Sequence, residues 1–212
     1  MKRYLTEFVG TFFLVLTIGL ASTRGIMMPP LAIAYTLMVM VYMGGHVSGG
    51  HYNPAVSLAV LLRGGAMKAA DFVPYVLSQL AGAVLASVVV HAVTGKSFAP
   101  APGPGEGMIA ALVIEILFTF ALALVVLNVA TSSKTQGNSY YGLAIGSTVG
   151  AGAFVGGPIS GGAFNPAVGT GPILMNAIYS GGSFEWLWLY WVGPLIGAAL
   201  AAAMFKIQEK AE

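Results

Sequence analysis

The residues with the most chemistry to offer stand close together. His46, Ser48 and His51 fall within six positions, and a serine flanked by histidines is the raw material of an acyl-transfer site. Nucleophilic catalysis also needs an acid to orient the histidine and donors to receive an oxyanion. The nearest acid in sequence is Asp71, beyond the apolar run that follows, so structural roles are favoured for these side chains. Glu7 and Glu115 sit inside apolar segments, where an ionisable residue is a functional candidate by default. One reading is a proton relay. The favoured one is an internal strut, because the two glutamates belong to separate halves of the chain and no charged partner is evident near either. Asn53 and Asn165 complete the set, and each precedes Pro-Ala.

These polar residues belong to a repeat. Residues 48–56 read SGGHYNPAV and residues 160–168 read SGGAFNPAV. Seven of the nine positions agree, and the exceptions are His51 against Ala163 and Tyr52 against Phe164. Two further landmarks recur in the same order. Residues 6–12, containing Glu7, have a weaker counterpart around Glu115, and residues 79–83 (QLAGA) match 194–198 (PLIGA). An internal repeat governs the reading of a whole fold. It also bears on the basic and apolar N-terminus, which has the look of a secretory leader. A segment with a twin at the start of the second half is expected to be structure.

Composition sets the environment of the repeat. Of 212 residues, 57% are hydrophobic and 8% charged, with a mean hydropathy of +0.84. Soluble domains carry about 25% charged residues, so the chain reads as a membrane protein. A net charge of +2 is too small to imply a nucleic-acid partner, and the absence of cysteine excludes disulfides, thiolate metal sites and a cysteine nucleophile. Nothing calls for a cofactor or a metal.

Six segments are long enough to span a bilayer core of ~20 residues: 4–22, 29–47, 72–94, 108–130, 139–158 and 185–206. The chain is one domain over 1–212, built from a repeat over about 1–100, a Pro/Gly-rich linker at 98–107 and a second repeat over 108–212. Three spans per repeat force the second copy to enter from the opposite side, giving an inverted repeat. With both termini cytoplasmic, Lys2, Arg3, Arg63, Lys68, Lys134, Lys206 and Lys210 fall inside, and Arg24 and Lys96 outside, as the positive-inside rule prefers. Trp186, Trp188, Tyr190 and Trp191 read as an interfacial belt at the sixth span. His91 has no assigned role.

Two apolar runs, 54–62 and 166–176, are too short to cross. Each forms a helix of about 15 Å, half of a ~30 Å core. Asn is a favoured N-cap and Pro a favoured first helical residue, so both half-helices start at mid-membrane and point their positive ends at each other. The Ser-Gly-Gly stretches before them are then non-helical, which is tolerated only inside protein or along a water-filled path. The expected architecture is all-α, with six transmembrane helices and two re-entrant half-helices.

On these motifs the chain resembles the aquaporins, the major intrinsic protein family, over nearly its full length. The resemblance rests on both Asn-Pro-Ala boxes (Asn53, Pro54, Ala55 and Asn165, Pro166, Ala167), the opening at Glu7, Gly10, Thr11 and Phe12, and the approach from Gly45 to His51. It implies a passive pore in every subunit of a homotetramer, with no enzymatic activity and no cofactor. It also implies strut roles for Glu7 and Glu115, which would accept backbone N–H groups of the re-entrant loops, and a place for His46 along the cytoplasmic half of the pore. Exclusion of cations by half-helix dipoles is a general property of such pores.

The departures from the family pattern concern selectivity. Most members carry Arg directly after the second box, at the outer constriction, and here that residue is Val168. Counting without gaps from the boxes places the other constriction positions at Ile33, Ala153 and Gly162, where water-selective members typically have Phe and His at the first two. A one-residue helix shift would substitute Ala34, Gly152 or Phe154, and none of these restores Arg. Arg24, in the first outer loop, is a remote substitute. Some bacterial aquaglyceroporins associated with arsenical export also have an aliphatic residue here, and the chain resembles that branch. The expectation is a bacterial plasma-membrane channel for water with glycerol-like solutes or metalloid hydroxides, such as arsenite and methylarsenicals. The alternatives are a water-selective aquaporin and, more distantly, a secondary transporter. A transporter needs a coupling site, and the midplane residues Asn53 and Asn165 do not titrate.

Overall fold

The structure is a computed structural model that describes residues 1–209; Lys210, one of the expected inside charges, lies outside them. Its helices are α1 (Lys2–Arg24), α2 (Pro29–Ser48), α3 (Pro54–Arg63), α4 (Ala69–Thr94), α5 (Met108–Thr131), α6 (Tyr141–Ser160), α7 (Pro166–Ser180) and α8 (Leu189–Glu209), with a short 3-10 turn at Ser133–Thr135. Six of the helices are long and apolar enough to cross a membrane. The described residues contain no strand.

Packing follows the duplication. Helix α1 lies along α4 as α5 lies along α8, and α2 meets α6 between the two halves. Each half-helix packs against the last long helix of the other repeat, α3 on α8 and α4 on α7. Apolar burial gives little drive between helices in lipid, so close van der Waals approach must hold them. Gly82 on α4 and Gly197 on α8 permit that approach. A Cβ on Gly82 would strike the carbonyl oxygen of Phe8, and one on Gly197 that of Ile116. These glycines belong to the repeated sequence landmark, so one close contact has been built twice.

The half-helices differ in length. Helix α3 has 10 residues, stops at the Gly64-Gly65 pair, and is close to the expected half-span. Helix α7 has 15 residues, corresponding to about 22 Å. Asn176 and Ala177 stand where the first repeat has Gly64 and Gly65, so the helix continues until Gly181 adopts a left-handed cap with φ 66°.

Two other expectations change. The sixth span begins at Leu189, because residues 184–188 form turns in which the Leu187 and Leu189 amides donate to the carbonyls of Phe184 and Trp186. Tyr190 is no belt residue: it is fully buried, and its hydroxyl donates to the Ser160 carbonyl at 2.6 Å. Trp188 is exposed, and Trp191 donates from Nε1 to Thr170 Oγ1 at 2.9 Å. The segment at 98–107 is more than a linker. It folds back over the bundle: the Phe98 ring packs against Gly19 and Val90, and the Gly103 amide donates to Ile159 O at 3.0 Å.

Candidate functional site

The two re-entrant loops share one conformation. Gly49, Gly50 and Tyr52 have φ of 92°, 64° and 49°, and Gly161, Gly162 and Phe164 have 89°, 65° and 49°. Glycine takes this left-handed region without strain, whereas a bulky side chain pays for it. Tyr52 and Phe164 are therefore over-determined by their surroundings. The Tyr52 ring fills the space left by Gly10 and Gly44, and its hydroxyl donates to Met40 O at 2.8 Å. Phe164 packs beside Gly152 and Gly156.

The buried glutamates hold these loops. Glu7 Oε1 accepts from Ser48 Oγ at 2.6 Å and from the His51 amide at 3.0 Å. Its Oε2 accepts from the Tyr52 amide and from Gln79 Nε2, both at 2.7 Å. Glu115 repeats the pattern, with Ser160 Oγ at 2.8 Å and the amides of Ala163 and Phe164 at 3.0 and 2.7 Å. Amides that would otherwise be orphaned inside the protein are thereby satisfied. Ser48 spends its hydroxyl on Glu7 and does not pair with either histidine. Asp71 is engaged elsewhere, accepting from Tyr4 Oη at 2.8 Å and standing 3.8 Å from Arg3. The fragments of a hydrolase site do not meet.

Asn53 and Asn165 cap the half-helices, each side-chain oxygen accepting from the amide two residues on, at 2.8 Å for Ala55 and 2.9 Å for Ala167. Their amide nitrogens reach across the midplane. Asn53 Nδ2 donates to Phe164 O and Asn165 Nδ2 to Tyr52 O, both at 2.9 Å. The two loops are thus braced to each other, and each Nδ2 keeps a second hydrogen.

A cavity of about 430 Å³ opens on the side of this junction away from the termini, and one of about 250 Å³ on the side that carries them. The larger cavity is lined by both asparagines and by Ile33, Ala153, Gly162 and Val168 together, with no charged side chain in its wall. Phe154 also reaches this wall. Residues 98–101 contribute a further stretch that the sequence did not flag. Their seat is made by Gly161, whose missing side chain admits the Ala101 backbone. Arg24 does not line the cavity; it donates to Val93 O at 3.2 Å. The smaller cavity is lined by His46 with Arg3, Met67, Asp71 and Tyr75, and His46 is exposed there. The histidine that reaches both cavities is His51. The sequence signal for it was its position as one of the two that differ between the nonapeptides.

A six-span bundle with two half-helices meeting N-terminus to N-terminus, and a cavity on either side of their junction, is the frame of a transmembrane channel. Known proteins make the class specific. The family model described as "Major intrinsic protein" matches residues 1–205. The chain is 38% identical over 223 residues to the glycerol uptake facilitator protein-like 6 of Lactiplantibacillus plantarum, covering 98% of each. It is 36% identical over 217 residues to aquaporin NIP1-1 of Zea mays, covering 98% of this chain and 74% of that one. Among solved structures, the aquaglyceroporin from Plasmodium falciparum shares the fold, with a TM-score of 0.86 at 20% identity over 96% of this chain and 94% of the other. The chain belongs to the major intrinsic protein family. It is a multi-pass membrane channel for water and small solutes, not an enzyme.

Proposed function

We propose that the channel passes glycerol-like solutes and neutral metalloid hydroxides as well as water, through an outer constriction formed by Ile33, Ala153, Gly162 and Val168. The observation that carries this reading is the uncharged, largely aliphatic wall of the 430 Å³ cavity, in which these four residues occur together. A wall without a fixed guanidinium leaves room for a solute wider than water and offers its carbon skeleton an apolar surface. Arsenite in its neutral trihydroxide form presents hydroxyls much as glycerol does, which places it in the same cargo class. Ions are disfavoured, because this wall repays none of the hydration an ion loses, and the facing half-helix N-termini add a barrier to cations.

In this reading Asn53 and Asn165 hold solute oxygens at the midplane through their free amide hydrogens, and Glu7 and Glu115 are struts. His46 stands at the inner mouth. Both termini lie on the cytoplasmic side of a bacterial plasma membrane, in line with the clustering of Lys2, Arg3, Arg63, Lys68, Lys134 and Lys206 on one face. The subunits assemble as a homotetramer, as the family resemblance implies.

Stopped-flow light scattering on proteoliposomes tests the cargo. Glycerol and arsenite permeability well above that of empty liposomes, alongside water permeability, is expected. Fast water flux with glycerol flux no greater than the lipid background would overturn the wide-pore reading in favour of a water-selective channel.

A further inference from the structure

We infer that Ser57 and Gln79 are positioning residues that fix His51 as a neutral imidazole with its proton on Nε2, so that the inner half of the pore carries one fixed side-chain donor. The inference rests on the channel reading and assigns this donor to the path of the solute.

The bonds form a chain with one consistent direction. Glu7 Oε2 accepts a hydrogen bond from Gln79 Nε2 at 2.7 Å, and the carboxylate's acceptor character sets which end of the amide faces it. The same Nε2 lies 3.0 Å from Ser57 Oγ, so its second hydrogen goes to that oxygen. Gln79 Oε1 is buried without a partner among the described residues, so the amide's hydrogen bonds are its two nitrogen contacts. Ser57 is fully buried, and among the described residues its oxygen has one other hydrogen-bond partner, His51 Nδ1 at 3.0 Å. Having accepted from Gln79, the hydroxyl has its own proton to place, and Nδ1 is the acceptor within reach. With the proton on Nδ1 instead, Ser57 would accept twice and bury an unsatisfied hydroxyl hydrogen, an arrangement that proteins avoid. Nδ1 is therefore the acceptor, and the ring proton sits on Nε2.

The exposed end of the ring fits this role. His51 Nε2 has no hydrogen-bond partner among the described residues, yet it is not among the sealed, unpartnered polar atoms, and His51 lines both cavities. The ring is steadied by Tyr75, with centroids 5.2 Å apart. A donor held in one direction in a narrow path can orient a hydroxylated solute that has left the asparagine pair.

The second repeat shows that holding a half-helix does not require this chain. At the positions equivalent to His51, Ser57 and Gln79 it has Ala163, Gly169 and Pro194. Glu115 nevertheless holds its loop with three donors, and Tyr190 donates to Ser160 O as Tyr75 donates to Ser48 O. The polar trio is an addition to one half alone.

Two measurements on protein reconstituted in lipid test the assignment. Magic-angle-spinning NMR of 15N-histidine-labelled protein, with His51 assigned through the His46→Ala and His91→Phe variants, should show a single tautomer protonated on Nε2. The Ser57→Ala variant should lose that single tautomer. It should also lower the glycerol-to-water permeability ratio by about fivefold, the effect of one neutral hydrogen bond, and Ser57→Thr should restore both. A wild-type spectrum with the proton on Nδ1, or a Ser57→Ala protein with an unchanged tautomer and ratio, would overturn the inference. If Ser57→Ala does not fold, the wild-type and Ser57→Thr spectra decide it. Wild-type protein that passes no glycerol would overturn the cargo reading, and the spectrum would then settle the tautomer on its own.

Discussion

The two nonapeptides end alike, at Val56 and Val168. Both are buried and both line the 430 Å³ cavity, whose wall also carries Ile33, Ala153 and Gly162. An Arg in place of Val168 would add five N–H donors and considerable volume to an otherwise uncharged wall. Val168→Arg is expected to cut glycerol permeability on the order of tenfold, a barrier increase of ~1.4 kcal/mol, while water permeability falls much less. Paired osmotic and glycerol-uptake measurements check this. Unchanged selectivity would mean that position 168 does not govern the constriction. The sequence also contains no cysteine, so mercurial thiol reagents should leave water flux untouched, and inhibition would reveal a target other than a thiol.

At the scale of the element, the loops and half-helices stand or fall with their braces. Asn165→Ala removes an N-cap, worth about 0.5–2 kcal/mol, and also the bond to Tyr52 O across the midplane, worth about 1 kcal/mol. A combined loss near 2 kcal/mol should appear as a lower unfolding temperature in detergent. Gly82→Ala should cost about 1–3 kcal/mol through overpacking, since its methyl group would meet the Phe8 backbone. Gly107→Ala, where a Cβ meets nothing and φ is −79°, should cost only the weaker N-cap that alanine makes for α5, about 0.5 kcal/mol. Equal effects at the two glycines would contradict the close packing of α1 on α4.

Legibility in the sequence followed the same division. Asn53, Asn165, Gly82 and Gly197 were readable because each occurs twice in matched contexts, and the structure gives each pair equivalent contacts. Residues 98–101 were not readable. Their place over the larger cavity depends on a backbone hydrogen bond from Gly103 to Ile159 and on the cleared surface of Gly161, neither of which leaves a periodic trace. Tyr190 was misread because three tryptophans surround it, and its burial follows from its bond to the Ser160 carbonyl. The full setting of His51 depends on Ser57 and on Gln79 in a different helix, so a motif of nine residues could show the histidine but not what holds it.

For the molecule as a whole, the question is whether solutes cross a standing path or ride a conformational cycle. Inverted repeats and broken helices serve both kinds of protein. Alternating access requires one half to rock against the other around a fixed site. Here the halves are interlocked at the site itself: Asn53 bonds the outer loop, Asn165 bonds the inner one, and each half-helix packs on the other repeat. Rocking would have to break both of these hydrogen bonds and both packing contacts in every cycle. The titratable side chains described at the junction are also engaged: Glu7 and Glu115 accept four and three hydrogen bonds, and His51 Nδ1 pairs with Ser57 Oγ. Solute flux through reconstituted protein should therefore rise linearly with the solute gradient, run equally in both directions, and ignore imposed proton or sodium gradients. Saturation at low solute concentration, or uptake against a gradient when protons or sodium are supplied, would show that the two loops separate during transport and would place the protein among coupled carriers.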